Sequence, residues 1–309
     1  MKRVFTAVIF LIVTGRAVWA DDLPPSEIEA RVDSLFVIAS AGELRYRDKV
    51  EPAIDSIAAM GAVAVPRLIE KYTTQDARER LTINNILVKI GAAAVPFLVA
   101  SLSLEDPEQV SRICYSLGEI KDSGAVSGII GVASHKDWRV RSNAASALGQ
   151  IGDNRARKTV MLLLQDSDEM VRKSAAVSSG LLTMDEAIPY LVHMLGDDFY
   201  GARLCASESL VKYGPKAIPF IADSLDSENE VVGNLGCTTL GLIGGDPAAA
   251  AIAPQLKSDR YTRRALAVEA VLLSNSSLAC GEVEILLPGE KHPVVVFLIH
   301  KVMDKYASR

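Results

Sequence analysis

The sequence predicts an all-α fold, an α-solenoid of about nine stacked antiparallel helix pairs, and three observations carry that expectation. A unit recurs every 30 or 31 residues, with Leu87, Leu117, Leu148, Leu210 and Leu240 at one shared point. Apolar residues within the unit follow a helical period, as in Ile188, Leu191, Val192 and Leu195 at i, i+3, i+4 and i+7. Punctuation falls at fixed offsets: Pro66, Pro96, Ser127, Pro189 and Pro219 stand 21 residues before those leucines, and Gly61, Gly91, Gly152, Gly214 and Gly244 follow the second helix. A repeat this regular is the signature of a stack in which each unit rests on its neighbours.

The elements follow in chain order. Lys2 and Arg3 precede the apolar run Val4 to Val13, and Val18-Trp19-Ala20 ends it with a small residue before Asp21. That pattern is a secretory signal peptide, residues 1–20, cleaved after Ala20. The run is too short to span a bilayer core of about 30 Å, and no cysteine precedes Cys114 to carry a lipid anchor. The remainder is expected to be exported, periplasmic or secreted, with no stable membrane insertion after cleavage.

Residues 21–61 read as a linker and an N-terminal capping helix pair, polar through Arg45-Tyr46-Arg47-Asp48-Lys49. Residues 62–276 carry the repeats. In each, a short first helix takes proline in its first turn, where a missing N–H costs nothing. In the unit of Pro189, Gly196-Asp197-Asp198 reads as the turn and N-cap, Arg203 to Tyr213 as the second helix, and Gly214 as a left-handed C-cap. Ser179 and Val271 occupy the leucine position in two weaker copies. Residues 277–309 read as a C-terminal capping pair, Glu282 to Leu287 and Val294 to Tyr306, with Val302 in register 31 after Val271. Small residues such as Ser142, Ala144, Ala145 and Ala147 let second helices approach closely.

The segment Asp137-Trp138-Arg139-Val140-Arg141-Ser142-Asn143-Ala144-Ala145-Ser146-Ala147-Leu148-Gly149-Gln150-Ile151-Gly152-Asp153, with Asp168-Glu169-Met170-Val171-Arg172-Lys173-Ser174-Ala175-Ala176, resembles the short HEAT-like repeats of phycobilisome-lyase-related proteins. Longer HEAT and armadillo units run to about 40 to 47 residues, and ankyrin and tetratricopeptide signatures do not occur. The resemblance covers residues 60 to 275 best. It implies a protein-binding solenoid, with bilin lyase or isomerase activity, or another enzyme-accessory role, as the alternative.

Composition narrows the function. The chain has 33 basic and 38 acidic residues; loss of Lys2, Arg3 and Arg16 with the leader leaves 30 against 38, a net charge of about −8. Nucleic-acid binding is not expected, since the dense basic groups, Arg155 to Lys158 and Arg260 to Arg264, are local. His135, His193, His292 and His300 stand singly, and no CxxC, HExxH or P-loop occurs, so no metal site, no cofactor and no catalytic residue is expected. Cys114, Cys205, Cys237 and Cys280 read as small buried thiols; only Cys205 with Cys237, or Cys237 with Cys280, lie in adjacent units where a bridge is open.

Three series remain. Arg141, Arg172 and Arg203 recur at 31 residues and read as structural clamps on turn carbonyls or acids of the neighbouring unit, with Asp137, Asp168 and Asp198 nearby. Trp138, Glu169, Tyr200, Glu230 and Tyr261 alternate aromatic and acidic residues along the edge where second helices begin, and such rings suit a protein partner. Counting one, five and nine residues from the arginine position projects a concave face that includes Asn85, Lys89, Tyr115, Glu119, Ser142, Val177, Leu181, Glu208, Lys212, Thr238 and Leu242. The expected function is a noncatalytic exported scaffold or adaptor. Its partner, an unidentified protein or peptide, is expected on Trp138, Tyr200, Tyr261, Tyr115, Val177, Glu208, Lys212 and Thr238.

Overall fold

A hairpin of two short helices cannot close a core of its own, and the fold follows from that. The computed structural model describes residues 24–276 and 278–307. The leader assigned to residues 1–20 lies outside them. Every regular element among the described residues is helical, so the chain has the predicted all-α solenoid fold. It forms two compact units that divide between Ala156 and Arg157.

The first unit holds four pairs: α1 (Pro25–Ala39) with α2 (Arg47–Ala58), α3 (Val65–Lys71) with α4 (Ala77–Ile90), α5 (Val95–Ala100) with α6 (Pro107–Ile120), and α7 (Val126–Val132) with α8 (Trp138–Ile151). The second holds five: α9 (Arg157–Leu163) with α10 (Glu169–Leu181), α11 (Ile188–Met194) with α12 (Tyr200–Tyr213), α13 (Ile218–Ser224) with α14 (Glu230–Ile243), α15 (Gly245–Ile252) with α16 (Tyr261–Ser274), and α17 (Leu278–Leu286) with α18 (Pro293–Ala307). The described residues thus contain the nine pairs expected. Both terminal pairs form where the capping pairs were placed, and α1 buries Ile28, Val32, Phe36 and Ala39 on one stripe.

Most first helices have only six to eight residues, too short to persist alone. Pro66, Pro96, Pro189 and Pro219 occupy their first turns, as the sequence predicts. The stretch Ala77–Ser103 is apolar enough to cross a membrane by length and composition. Gly91, at φ 68°, breaks it into α4 and α5, and Ile83, Ile86, Leu87 and Leu98 are fully buried in the core.

Two details differ from the expectation. The second helix of the fifth described repeat begins at Tyr200, three residues before Arg203, and its N-cap Phe199 accepts no side-chain bond. Asp197, not Asp198, supplies the turn carboxylate, accepting from the Phe199 N–H at 2.9 Å. The glycine caps also differ among themselves. Gly152 is left-handed (φ 75°, ψ 18°), whereas Gly91 and Gly214 combine positive φ with ψ near −138° and −134°, a region essentially restricted to glycine.

Close approach of second helices is selective. Where α6 meets α8, α10 meets α12 and α14 meets α16, the packing is tightest. Small residues make it so: a Cβ on Gly118 would lie 2.9 Å from the Ala147 Cα, and one on Gly180 3.1 Å from the Ser209 Cβ. Helices α4 and α6 lack such a pairing and stand further apart, because Ile83, Leu87, Ile113 and Leu117 fill the space between them.

Arginines fasten the turns. The fourth residue of α4, α8, α10, α12 and α16 is Arg80, Arg141, Arg172, Arg203 and Arg264. Each sends Nη1 to carbonyls of its own pair's turn: Gln75 for Arg80, His135 and Lys136 for Arg141, Asp166 and Ser167 for Arg172, Asp197 and Asp198 for Arg203, Ser258 and Asp259 for Arg264. These carbonyls end or follow the first helix, which leaves them without helical partners. The structural reading of the arginine series therefore holds, extended to Arg80 and Arg264, but the carbonyls are in the same unit and only the acids come from the next. Arg172 grips Asp197 at 2.7 and 2.9 Å, and Arg264 grips Glu290 at 2.6 and 2.9 Å. Asp137 and Asp168 instead cap their helices through the N–H groups of Arg139, Met170 and Val171.

Two copies lack the arginine and are repaired from elsewhere. Val110 occupies the position in α6, and Arg112 reaches the carbonyls of Tyr72 and Thr74. Gly233 occupies it in α14, where a Cβ would lie 2.7 Å from the Arg263 Nη2; that arginine faces Asp226 at 3.6 Å.

Two outcomes follow for stability. Gly241→Ala is expected to cost about 1 to 3 kcal/mol in thermal or urea unfolding, although alanine is the better helix former, because overpacking wins. Its Cβ would meet the Ala270 carbonyl oxygen at 2.7 Å, whereas Gly281→Ala, with open space at that point, is expected to be neutral or stabilising. The Arg264 guanidinium holds the Glu290 carboxyl down from 4.5 to about 2, against the opposing effect of burial. A depressed carboxyl stabilises above its unfolded value and loses that contribution as pH falls through its folded value. Glu290→Gln is therefore expected to cost about 1.5 to 3 kcal/mol at neutral pH, with the difference from wild type shrinking between pH 4.5 and about 2 in pH-resolved melts.

Candidate functional site

Side chains left over after stacking and clamping lie on the outward-turned face of the second helices. In the first unit this face carries Leu81, Asn85, Val88 and Lys89 of α4, Tyr115 and Glu119 of α6, and Ser146 and Gln150 of α8. Lys89 is committed to Glu51 and Asp55 at 3.0 and 2.6 Å. Gln150 donates to Glu119 across the α6–α8 contact at 3.2 Å. Ser142, projected onto the face, is buried.

In the second unit the corresponding positions are Lys173, Val177 and Leu181 of α10, Leu204, Glu208 and Lys212 of α12, and Asn234, Thr238 and Leu242 of α14. Glu208 and Lys212 are exposed and one turn apart, Val177 is half-buried, and Leu181 and Leu242 are exposed. The half-buried Thr238 turns its hydroxyl back to the Asn234 carbonyl at 3.3 Å, which spends its donor within the helix. Leu81 and Leu204 sit one residue after the arginine position. Sequence reasoning overlooked them, although the register that found Lys173 also points to them.

The aromatic edge resolves into three unlike rings. Trp138, Tyr200 and Tyr261 are each the first residue of their helix, α8, α12 and α16. Tyr200 is the most open, 66% exposed, with the Arg203 guanidinium 5.5 Å from its ring centre. Tyr261 stacks on His292 with centroids 3.7 Å apart and planes 12° from parallel, so it packs the last described pair onto its neighbour. Trp138 is exposed on the first unit.

The wider spacing of α4 and α6 opens a cleft of about 400 Å³, within the size range of small ligand sites. Its lining includes Tyr72, Arg80, Leu81, Asn84, Arg112 and Tyr115, with Asn143 of α8 at its edge. Tyr72 is 2% exposed and its hydroxyl meets Ser116 Oγ at 2.5 Å; Ser116 in turn donates to Asn84 Oδ1 at 2.7 Å. Burial pushes the Tyr72 phenol upward, so it stays a protonated donor. The relay fixes the amide of Asn84, which is 8% exposed, with Oδ1 occupied and Nδ2 unpartnered among the described residues. Nothing in the sequence flagged this relay, because it joins residues 44 and 32 apart from the interiors of three elements.

The other chemical candidates are absorbed by the fold. Cys114, Cys205 and Cys237 are buried free thiols, so neither open pairing involving Cys237 forms; the Cys280 side chain lies outside the described residues. Burial pushes the Cys114 thiol up to about 12 and that of Cys237 to about 11, which keeps both in the unreactive thiol form. Gly241 to Asp246 is the end of α14 and the start of α15, with Gly244 as the C-cap. Among the described residues, no three His, Cys, Asp or Glu side chains gather as a metal set would.

A HEAT-repeat family profile matches residues 95–180 and 132–211, the stretch in which three tight helix pairs and the Arg141, Arg172 and Arg203 clamps follow one another. These are HEAT repeats. Solved solenoids align with the HEAT chain well beyond that stretch. Kap121p, in a structure with Nup53p bound, is 14% identical, covers 90% of this chain and 37% of its own, and gives a TM-score of 0.57. Importin beta is 14% identical, covers 94% and 42%, and scores 0.56. YibA of Escherichia coli is 16% identical, covers 84% and 97%, and scores 0.53. At such identities the likeness is one of fold, and the chain spans less than half of the first two. No protein of curated function matches the sequence.

Proposed function

We propose that this chain is an exported, noncatalytic HEAT-repeat adaptor that holds a protein partner on the outward-turned face of its second helices. One observation carries the reading: after stacking, clamping and capping have used the arginines, glycines and cysteines, the second helices still present Leu81, Tyr115, Leu181, Leu204 and Leu242 to solvent among polar neighbours. Apolar and aromatic anchors within a polar surround are the composition of a protein interface. Glu208, Lys212 and the half-buried Val177 extend that surface in the second unit. Tyr200 adds an open ring at the start of α12, and Trp138 one at the start of α8. Export rests on the leader pattern of residues 1–20, and a net charge of about −8 after its loss disfavours a polyanionic partner.

The test is site-specific photocrosslinking in the native host. A crosslinker placed at Tyr115, Leu204 or Leu242 is expected to capture the same polypeptide from the exported fraction, while one at Phe97 or Phe220, on first helices, captures none. Equal capture from both sets of positions, or retention of the chain in the cytoplasm, contradicts the adaptor reading.

A further inference from the structure

The cleft between α4 and α6 is built for a more particular ligand than a generic protein surface. Its wall is apolar through Leu81 and the Tyr115 ring, and its polar groups are donors. Arg80 and Asn84 lie one turn apart on α4, so their side chains are neighbours on the helix surface. Arg80 spends only Nη1, on the Gln75 carbonyl at 2.7 Å, which leaves Nε and Nη2 as a charged fork. Asn84 adds Nδ2, held in place by the Tyr72–Ser116 relay.

The nearby acids do not cancel this charge. Glu108 is engaged by Arg112, and Glu79 receives the Thr74 hydroxyl. A fork and an amide beside an apolar slot call for a carboxylate next to an apolar side chain. In a polypeptide those two groups share one residue only at the C-terminus.

We infer that the α4–α6 cleft receives the C-terminal residue of a partner polypeptide, its apolar side chain against Leu81 and Tyr115 and its free carboxylate on Arg80 and Asn84. The inference rests on the adaptor reading for its partner class and adds the part of the partner that is read. A cleft of about 400 Å³ has room for one such residue. The preorganised amide lowers the ordering cost of binding. The cationic site stands out on a chain of net negative charge, and it steers an acidic chain end toward α4.

The test uses the full chain and an acetylated tetrapeptide ending in phenylalanine, measured by titration calorimetry or chemical-shift perturbation. The free-carboxylate peptide is expected to bind at least tenfold more tightly than its C-terminal amide. Arg80→Gln is expected to abolish that preference while leaving the amide's weak binding in place. Leu81→Asp, at a side chain 61% exposed and so harmless to folding, is expected to abolish binding of both. Equal affinity for acid and amide, an unchanged preference in Arg80→Gln, absence of binding by either peptide, or equal binding of an end-blocked peptide with an internal Asp-Phe pair would each overturn the assignment. The two readings fail separately: crosslinks from Leu204 and Leu242 without any carboxylate preference would leave an adaptor with no C-terminal reader, and loss of all crosslinks would remove the adaptor.

Discussion

The structure depends on one constraint: a first helix of about seven residues cannot exist by itself. Its carbonyls and apolar stripe must be satisfied from outside. The arginine at the fourth position of the second helix meets the first need by bonding the turn carbonyls, and stacking on the neighbouring pair meets the second. Both requirements return at every unit, so the sequence must repeat what satisfies them. Where it does not, at Val110 and Gly233, a neighbouring arginine takes over the task or its place, Arg112 at the turn carbonyls in the first case and Arg263 beside Asp226 in the second.

Stacking also decides where a site can form. Pairs of second helices with Gly118, Gly180 or Gly241 at the contact close until backbone meets backbone. The α4–α6 contact has branched and large side chains in that layer and stays open. The cleft is thus a by-product of core volume, turned into a potential site by the polar residues at its edge. Its donors, Arg80 and Asn84, belong to the fold as well, one as a turn clamp and the other as the end of a buried relay.

Much of this was legible in the sequence. The period of 30 or 31 residues placed all nine pairs, because a single spacing error would have shifted every later proline and glycine out of register. The arginine series was legible as structure from its proximity to Asp137 and Asp168. What the sequence could not convey was which carbonyls it bonds, since residues five and six positions back belong to a turn whose conformation is tertiary. Tyr115 was found by counting along the helix; Asn84 was not, because its register marks it as core and only the Ser116 partner reveals a polar role. The aromatic edge looked uniform in sequence. The stack of Tyr261 on His292 shows that one register position can pack a neighbouring pair in one copy and stand open at Tyr200 in another.

The central claim is that folding and binding use separate residues of the same helices. A single-substitution scan of the displayed chain, scored in parallel for protease resistance and for capture of a peptide with an apolar free C-terminus, tests it directly. The account predicts that substitutions at Arg172, Arg264 and Gly241 lower both scores together, through folding, whereas those at Leu81 and Tyr115 lower capture alone. Loss of capture with full protease resistance at Arg172 or Arg264, or capture indifferent to Leu81 and Tyr115, would contradict it.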